Sequence, residues 1–222
     1  MTPRPRIVAL GGNATAGGSA ERLLRHALMR CEAQGAETRL FAGEAIDLPM
    51  YAPHRSERCS KAQALMAALR DADGILVASP AYHGTVSGVV KNALDYAQDL
   101  VSDAQPYFDG RAVGLIAVAG GWQAAGSTLA TLRSITHALR GWPTPMAVTA
   151  NSSQPLFDPY GMLADQGIAS QLDIMTGQVD LRADEARLCR CGQGGHDGLT
   201  SAVPEGSLRC LPVRTEPIRT SR

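Results

Sequence analysis

Residues 74–100 have the sequence GILVASPAYHGTVSGVVKNALDYAQDL, in which an apolar run, a short loop and an apolar-faced segment follow one another. The run at 74–78 is apolar at every position, which is typical of a strand covered on both faces of a sheet. Ser79 and Pro80 end the run, and Ser87 is a good cap for the helix that follows. The stretch therefore predicts one strand, loop and helix unit of an α/β fold.

The same alternation continues in both directions from this unit. Further strands are predicted at 7–10, 37–41, 112–119 and 145–149, and further helices at 19–31, 62–72, 127–139 and 165–175. Five strands that alternate with helices predict a parallel sheet with helices on both faces. We expect a flavodoxin-like three-layer sandwich with strand order 2-1-3-4-5, which this pattern fits better than the six-stranded dinucleotide fold.

Glycine-rich or bent loops follow three of the predicted strands, at 11–18, 79–88 and 120–126. The carboxyl ends of parallel strands meet at one edge of the sheet, and ligands of open α/β sheets bind beyond that edge. The three loops are therefore predicted to converge on one binding site.

The composition excludes several classes of protein. The chain has 222 residues, 45% of them hydrophobic, with 21 basic and 21 acidic residues. This is enough apolar material for a folded core, and the balanced charge argues against nucleic acid as a general partner. The longest apolar stretch, 113–121, is far shorter than the roughly 20 residues of a membrane-spanning helix. The N-terminal apolar run is too short for a secretory signal, so we expect a cytoplasmic location.

The C-terminal part of the chain differs in composition from the rest. Apolar periodicity disappears from Arg187 onward, where glycines and prolines mix with arginines. We expect a domain at 1–177 and a disordered or loosely attached tail at 178–222. The tail holds Cys189, Cys191, Cys210 and His196, but this spacing is not that of the common zinc sites, and no metal site is predicted. The five cysteines of the chain do not suggest a disulfide framework either.

The first loop, GNATAGGS at 12–19, lacks two familiar nucleotide motifs. Gly18 stands where a Walker A sequence has its lysine, and Asn13 stands where a dinucleotide fingerprint has a glycine. What remains is a loop of small residues, with Thr15 and Ser19 hydroxyls, before a helix N-terminus that favours a phosphate monoester. The alternative is a turn that merely joins a strand to a helix.

The segment that begins at Ser79 resembles the flavin-binding segment of the NADPH-dependent FMN reductase family, whose usual form is SPxYxxxxxGxxKNxxD. The matching residues are Pro80, Tyr82, Gly88, Lys91, Asn92 and Asp95. The phosphate loop at 11–19, the Gly120-Gly121 pair and residues 157–165 are also similar to the family. The resemblance covers residues 6 to about 177 and leaves the tail unaccounted for.

This resemblance implies an enzyme in which NADPH or NADH passes a hydride to N5 of FMN. The reduced flavin would then go to a partner monooxygenase or to a small acceptor such as a quinone. It also implies a homodimer or homotetramer, with the helix at 87–100 as the expected contact. No catalytic side chain is expected, because positioning rather than a protein base governs hydride transfer.

The resemblance and the loop positions together give a set of expected FMN-binding residues: Gly12, Asn13, Thr15, Ser19, Pro80, Ala81, Tyr82, His83, Gly84, Thr85, Gly120 and Gly121. Lys91 and Asp95 lie one helical turn apart, so we expect a structural ion pair rather than a catalytic one.

The phosphate loop departs from the family, since Gly12, Asn13 and Gly18 occur where many members have an arginine or a run of serines. We therefore expect modest FMN affinity, as suits a flavin that is bound and released as a substrate. One alternative is a quinone or azo reductase with tightly bound FMN. Another is a non-enzymatic carrier of the flavodoxin type, but the balanced charge disfavours it because carriers usually present a strongly acidic face.

Overall fold

The computed structural model describes residues 4–193, with the backbone alone from 185 onward. Seven strands and five α-helices alternate along these residues. The strands are β1 (Arg6–Gly11), β2 (Glu37–Phe41), β3 (Gly74–Tyr82), β4 (Thr85–Val86), β5 (Ala112–Ala119), β6 (Trp142–Pro143) and β7 (Val148–Asn151). The helices are α1 (Ser19–Ala33), α2 (Ser60–Asp71), α3 (Gly88–Asp95), α4 (Trp122–Ala138) and α5 (Gln166–Gln193).

The main sheet is parallel and confirms the predicted fold and strand order. Its strands lie in the order β2-β1-β3-β5, and β6 and β7 both pair with β5 on the far side. β6 pairs with the start of β5 and β7 with its end, so the two short strands together occupy the fifth position. This is the order 2-1-3-4-5 with an interrupted last strand.

Alternate side chains of the central strands enter two apolar layers, one on each face of the sheet. Val8 and Leu10 of β1 face a layer that includes residues of α2 and α3. Ile7 and Ala9 face the other layer, which α1 and α5 cover. Both faces are therefore buried, which explains the unbroken apolar runs of β3 and β5.

Several predicted element boundaries differ from the structure, among them those of α4 and α5. α4 was expected from 127 but begins at Trp122; residues 122–126 lack apolar periodicity and include Gly126, so their pattern does not predict the earlier start. α5 was expected to end near 175 but continues to Gln193.

The extension of α5 carries the packed core beyond residue 177. Val179 and Ala183 are fully buried. A Cβ on Gly74 would lie 2.6 Å from Val179 Cγ1, so the absence of a side chain there lets the helix approach the start of β3. The division into a domain at 1–177 and a tail from 178 stays a prediction, and within the described residues α5 is packed on the sheet as far as Ala183. Cys210 and His196, and the side chains of Cys189 and Cys191, lie outside the described residues.

The interrupted sheet edge is held by side chains from the neighbouring helices. Arg133 of α4 donates hydrogen bonds to the carbonyl oxygens of Thr144 (3.1 Å) and Pro145 (3.0 Å). The Met146 N–H donates to Gln178 Oε1 of α5 at 3.0 Å. These contacts satisfy backbone groups between β6 and β7 that no strand pairs.

None of the helices within residues 4–193 is both long and apolar enough to cross a membrane.

The end of β1 passes very close to β3. A Cβ on Gly11, whose φ is +150°, would lie 2.0 Å from the carbonyl oxygen of Ala78. The next residue, Gly12, donates its N–H to the same oxygen at 3.1 Å. Only a glycine therefore allows the chain to turn here from the sheet into the first loop.

The substitution Gly11→Ala should accordingly cost about 3 kcal/mol or more in free energy of unfolding, through steric overlap and backbone strain. Gly177→Ala is the matched control, since a Cβ there meets nothing within 4 Å inside α5. That control should stabilise the protein by about 0.5–1 kcal/mol because alanine is the better helix former. Urea unfolding of both variants measures the two effects, and equal free energies of unfolding would contradict the predicted steric overlap.

Asp180 is a buried acid on α5 beside the Cys31 thiol of α1. Neither of its carboxylate oxygens has a hydrogen-bond partner among the described residues. Burial raises the pKa of Asp180 to about 6; the Cys31 thiol opposes this shift, and the charge of Asp184 adds to it. The same burial, with Asp180 close by, raises the pKa of the Cys31 thiol, so that thiol stays protonated.

Because the folded-state pKa of Asp180 lies above that of an unfolded aspartate, its contribution to stability is present at pH 4 and is lost as the pH rises toward and past 6. Asp180→Asn should remove this loss and stabilise the protein at pH 7 by up to about 3 kcal/mol. Urea unfolding at several pH values between 4 and 7 measures it, with Asp47→Asn, the same substitution at an exposed position, as control. If the free energy of unfolding of wild type and of Asp180→Asn varied with pH in the same way, the raised pKa of Asp180 would be refuted.

Candidate functional site

A cavity of about 240 Å³ opens at the carboxyl edge of the sheet, where β1, β3 and β5 end. The three predicted loops do converge there, and Ser152 after β7 joins them. The lining residues are Gly12, Asn13, Gly18, Ser19, Ala20, Pro80, Ala81, Tyr82, Val118, Ala119, Gly120 and Ser152.

The first loop leads into α1 without a side-chain cap. Gly12 has a φ of +92°, which a glycine adopts readily, and Gly18 occupies the N-cap position. Ser19 is the first residue of the helix rather than its N-cap, so its hydroxyl is not used in capping. The N–H groups of the first helical turn therefore have no side-chain acceptor from the cap position.

The second loop is a hairpin rather than a simple bend. β3 continues through Tyr82 and pairs antiparallel with β4, and His83 and Gly84 form the two-residue turn. Both turn residues have positive φ, +52° and +82°, as the twist of a tight hairpin requires. Histidine tolerates this conformation better than most residues, which fits its place at the first turn position.

Buried Ser79 stabilises this hairpin through two hydrogen bonds. Its Oγ accepts the Ser87 N–H at 2.9 Å and donates to the Pro80 carbonyl at 2.8 Å. Ser87 in turn caps α3, as predicted, by accepting the Val90 N–H. Ser79 stood in the quoted motif but was not expected to have a role, since its partner lies eight residues away across the hairpin.

A second serine, Ser127 of α4, holds the tip of the hairpin. Its Oγ donates to the Gly84 carbonyl at 2.8 Å. No local signal in the sequence predicts this contact, because it depends on the earlier start of α4.

Asn13 and Tyr82 connect the first two loops. The Tyr82 hydroxyl donates to Asn13 Oδ1 at 3.1 Å, and the Tyr82 side chain is half exposed. This hydrogen bond links the glycine loop to the hairpin at the mouth of the cavity. Trp122, also exposed, lies at the start of α4 next to Gly120 and Gly121.

The predicted binding residues divide into two sets. Those that line the cavity are Gly12, Asn13, Ser19, Pro80, Ala81, Tyr82 and Gly120. Those outside the lining are Thr15, His83, Gly84, Thr85 and Gly121. The lining also includes residues that were not predicted, namely Gly18, Ala20, Val118, Ala119 and Ser152. Contact of either set with a flavin stays a prediction.

The residues of α3 that match the family motif have structural roles. Lys91 Nζ and Asp95 Oδ1 are 2.6 Å apart, which confirms the predicted ion pair. Asn92 is buried; its Oδ1 accepts the Tyr51 N–H, and its Nδ2 donates to the Leu48 and Pro49 carbonyls. The apolar side of α3 lies in the core. A subunit contact through 87–100 stays a prediction.

An ion pair joins the loop before α2 to the segment that follows α3. The Arg58 guanidinium forms a bidentate contact with Asp99 and holds the pKa of that carboxyl below its usual value. Among the described residues, the lining contains no Asp, Glu, Lys, Arg or His. Such a site offers backbone N–H groups and hydroxyls but no general base or nucleophile, so any redox chemistry there requires a bound cofactor.

Comparison with known proteins agrees with this geometry. The family model for NADPH-dependent FMN reductase matches residues 5–154. The chain belongs to this family. The match spans β1 to the end of β7 and therefore all the loops that line the cavity.

Named relatives of this FMN reductase family member match part of the chain. An NADPH azoreductase of Bacillus sp. (strain OY1-2) is 38% identical over 87 residues, 36% of this chain and 46% of the relative. An FMN-dependent NADPH-azoreductase of Staphylococcus saprophyticus is 36% identical over 119 residues, 53% of this chain and 60% of the relative. The chain thus spans about half the length of these relatives.

The fold has solved counterparts. A flavodoxin, WrbA-like protein from Agrobacterium tumefaciens superposes with a TM-score of 0.57 at 16% identity, over 82% of this chain and 99% of that one. This likeness establishes a flavodoxin-like fold for the FMN reductase family member described here.

Substitution of the two bracing serines should have unequal effects. Ser79→Ala leaves the buried Ser87 N–H without its acceptor and should lower the free energy of unfolding by about 1–3 kcal/mol. Ser127→Ala, at an exposed position, should lower it by less than about 0.5 kcal/mol. Urea unfolding of the two Ser→Ala variants gives the comparison. A larger loss of unfolding free energy in Ser127→Ala would contradict the larger contribution assigned to Ser79.

Proposed function

We propose that this protein is an NAD(P)H-dependent FMN reductase that passes electrons from NADPH or NADH through FMN to a small acceptor or a partner monooxygenase. The observation that carries the proposal is the uncapped N-terminus of α1 beside a neutral, glycine-lined cavity at the sheet's carboxyl edge. Membership of the NADPH-dependent FMN reductase family supports the same activity.

The residues of the cavity fit FMN. Backbone N–H groups of the first turn of α1, with the Ser19 hydroxyl, are donors suited to a phosphate monoester. Gly120 and Gly121 leave open space, since a Cβ at either position meets nothing within 4 Å. We propose that the glycine loop holds the phosphate and that the β3–β4 hairpin and the Gly120-Gly121 pair lie against the ring system.

In this arrangement the chain binds and orients, and FMN supplies the electron transfer when it is bound. Ser79 and Ser127 keep the hairpin in place, so the backbone groups of Pro80, Ala81 and Tyr82 are presented at fixed positions. Exposed Trp122 beside the cavity offers an aromatic surface for a second planar ring, and we assign the nicotinamide to it.

Azo compounds are the second candidate acceptor, because the named relatives are azoreductases that use NADPH. An enzyme of that kind would retain FMN as a prosthetic group. The loop here favours exchange instead, since no cationic side chain lines the cavity to hold a dianion.

We further propose a homodimer or homotetramer. Tyr82, which lines the cavity, and Trp122, two residues after Gly120, are both half exposed, and a second chain would cover them. Sedimentation equilibrium should then give two or four times the mass of one chain, whereas a monomer at micromolar concentration would exclude this assembly.

The decisive experiment follows NADPH oxidation by the purified protein with FMN, FAD or riboflavin, and then with an azo dye added. We expect turnover with FMN on the order of 10 per second, with saturation in free FMN if the flavin exchanges. One FMN per chain retained through dialysis, with azo-dye reduction and no dependence on added FMN, would favour the azoreductase. No NADPH or NADH oxidation with any flavin would overturn the proposed activity and favour a carrier.

A further inference from the structure

A buried acid, Glu21, lies directly behind the glycine loop of the candidate site. Only 3% of its surface is exposed, and its Oε2 accepts the Gly17 N–H at 2.8 Å. Its Cβ lies 3.4 Å from where a Cβ of Gly12 would be. The carboxylate therefore lies between α1 and the loop whose Gly12 and Gly18 line the cavity.

Arg25 provides the countercharge to Glu21. Its guanidinium donates to Glu21 Oε1 through Nε at 3.0 Å and through Nη2 at 2.6 Å. The Arg25 side chain is 60% exposed, whereas that of Glu21 is 4% exposed. Solvent screens the arginine charge more effectively than the buried carboxylate, so the neutralisation at the loop is incomplete.

Glu21 interacts with the same groups that would attract an anion to this loop, namely the α1 dipole and a loop N–H. An acid in the first turn interacts favourably with the dipole of α1, and here it also occupies the Gly17 N–H. A phosphate dianion in the loop would interact with the same dipole and would be repelled by the carboxylate behind it. Within residues 4–184, whose side chains the structure describes, no positively charged side chain lines the cavity to offset that repulsion.

We propose that Glu21 is a specificity-determining residue that weakens binding of the flavin 5′-phosphate, with Arg25 limiting the effect. This rests on the proposed function, since it takes FMN as the ligand of the cavity. Riboflavin has no phosphate, so it does not experience this repulsion. The pair thereby sets how strongly the site prefers FMN over riboflavin and lets FMN dissociate readily.

The test compares the dissociation constants of FMN and riboflavin, measured by flavin fluorescence titration, for wild type, Glu21→Gln and Arg25→Gln. The amide oxygen of glutamine can still accept the Gly17 N–H, so Glu21→Gln removes the charge and keeps the contact. We expect the preference for FMN to rise about fivefold in Glu21→Gln and to fall by a similar factor in Arg25→Gln. Both changes should shrink in 1 M NaCl, because salt screens charge interactions.

Glu37→Gln is the matched control, since it makes the same change of charge at an exposed position at the start of β2. It should leave the preference for FMN unchanged. Equal changes in the affinities of both flavins in Glu21→Gln, or a shift in the same direction in Arg25→Gln, would overturn the proposal and assign a structural role to the pair.

Failure of the proposed function has a different signature. Wild type that binds FMN with a preference that neither variant alters contradicts the role of Glu21 alone. Wild type that binds neither flavin contradicts both the flavin site and this role. If Glu21→Gln does not fold, the exposed Arg25→Gln still decides the question through the sign of its effect.

Discussion

The close passage of β1 over the Ala78 carbonyl is the constraint on which the site depends. Gly11 has no side chain to obstruct it, and the Gly12 N–H bonds to the oxygen that a Cβ at residue 11 would strike. The glycine loop consequently starts in contact with the strand that leads to Pro80 and Tyr82. This contact thus fixes the relative positions of two of the three cavity loops before any ligand is bound.

Polar side chains in this molecule mainly hold loops in place. Ser79, Ser127 and Asn92 are each engaged with backbone groups of the segments around α3 and the hairpin. The described residues that line the cavity are mostly small, and the charged side chains of Glu21 and Arg25 lie behind the loop rather than in the lining. Shape and nearby charge, rather than a charged lining residue, are therefore what such a site offers for selectivity.

Much of the fold was predictable because buried parallel strands have a strong local pattern. β2 and β5 have the bounds expected from the sequence, since their apolar positions end at clear turn signals. The end of α5 was missed although Leu172, Met175, Val179 and Ala183 recur at helical spacing, because glycine- and arginine-rich residues follow. The glycine loops were predictable from composition. The contacts of Ser127 and Glu21 were not, because tertiary packing alone brings their partners together.

The division of the last sheet position into β6 and β7 affects association with other chains. A long edge strand offers a continuous row of unpaired N–H and C=O groups that invites another strand. Here Arg133 and Gln178 already occupy backbone groups between the two short pieces, and Pro143 and Pro145 lack N–H donors. This edge is therefore a poor template for sheet extension, and the folded domain is protected on that side from strand-mediated aggregation.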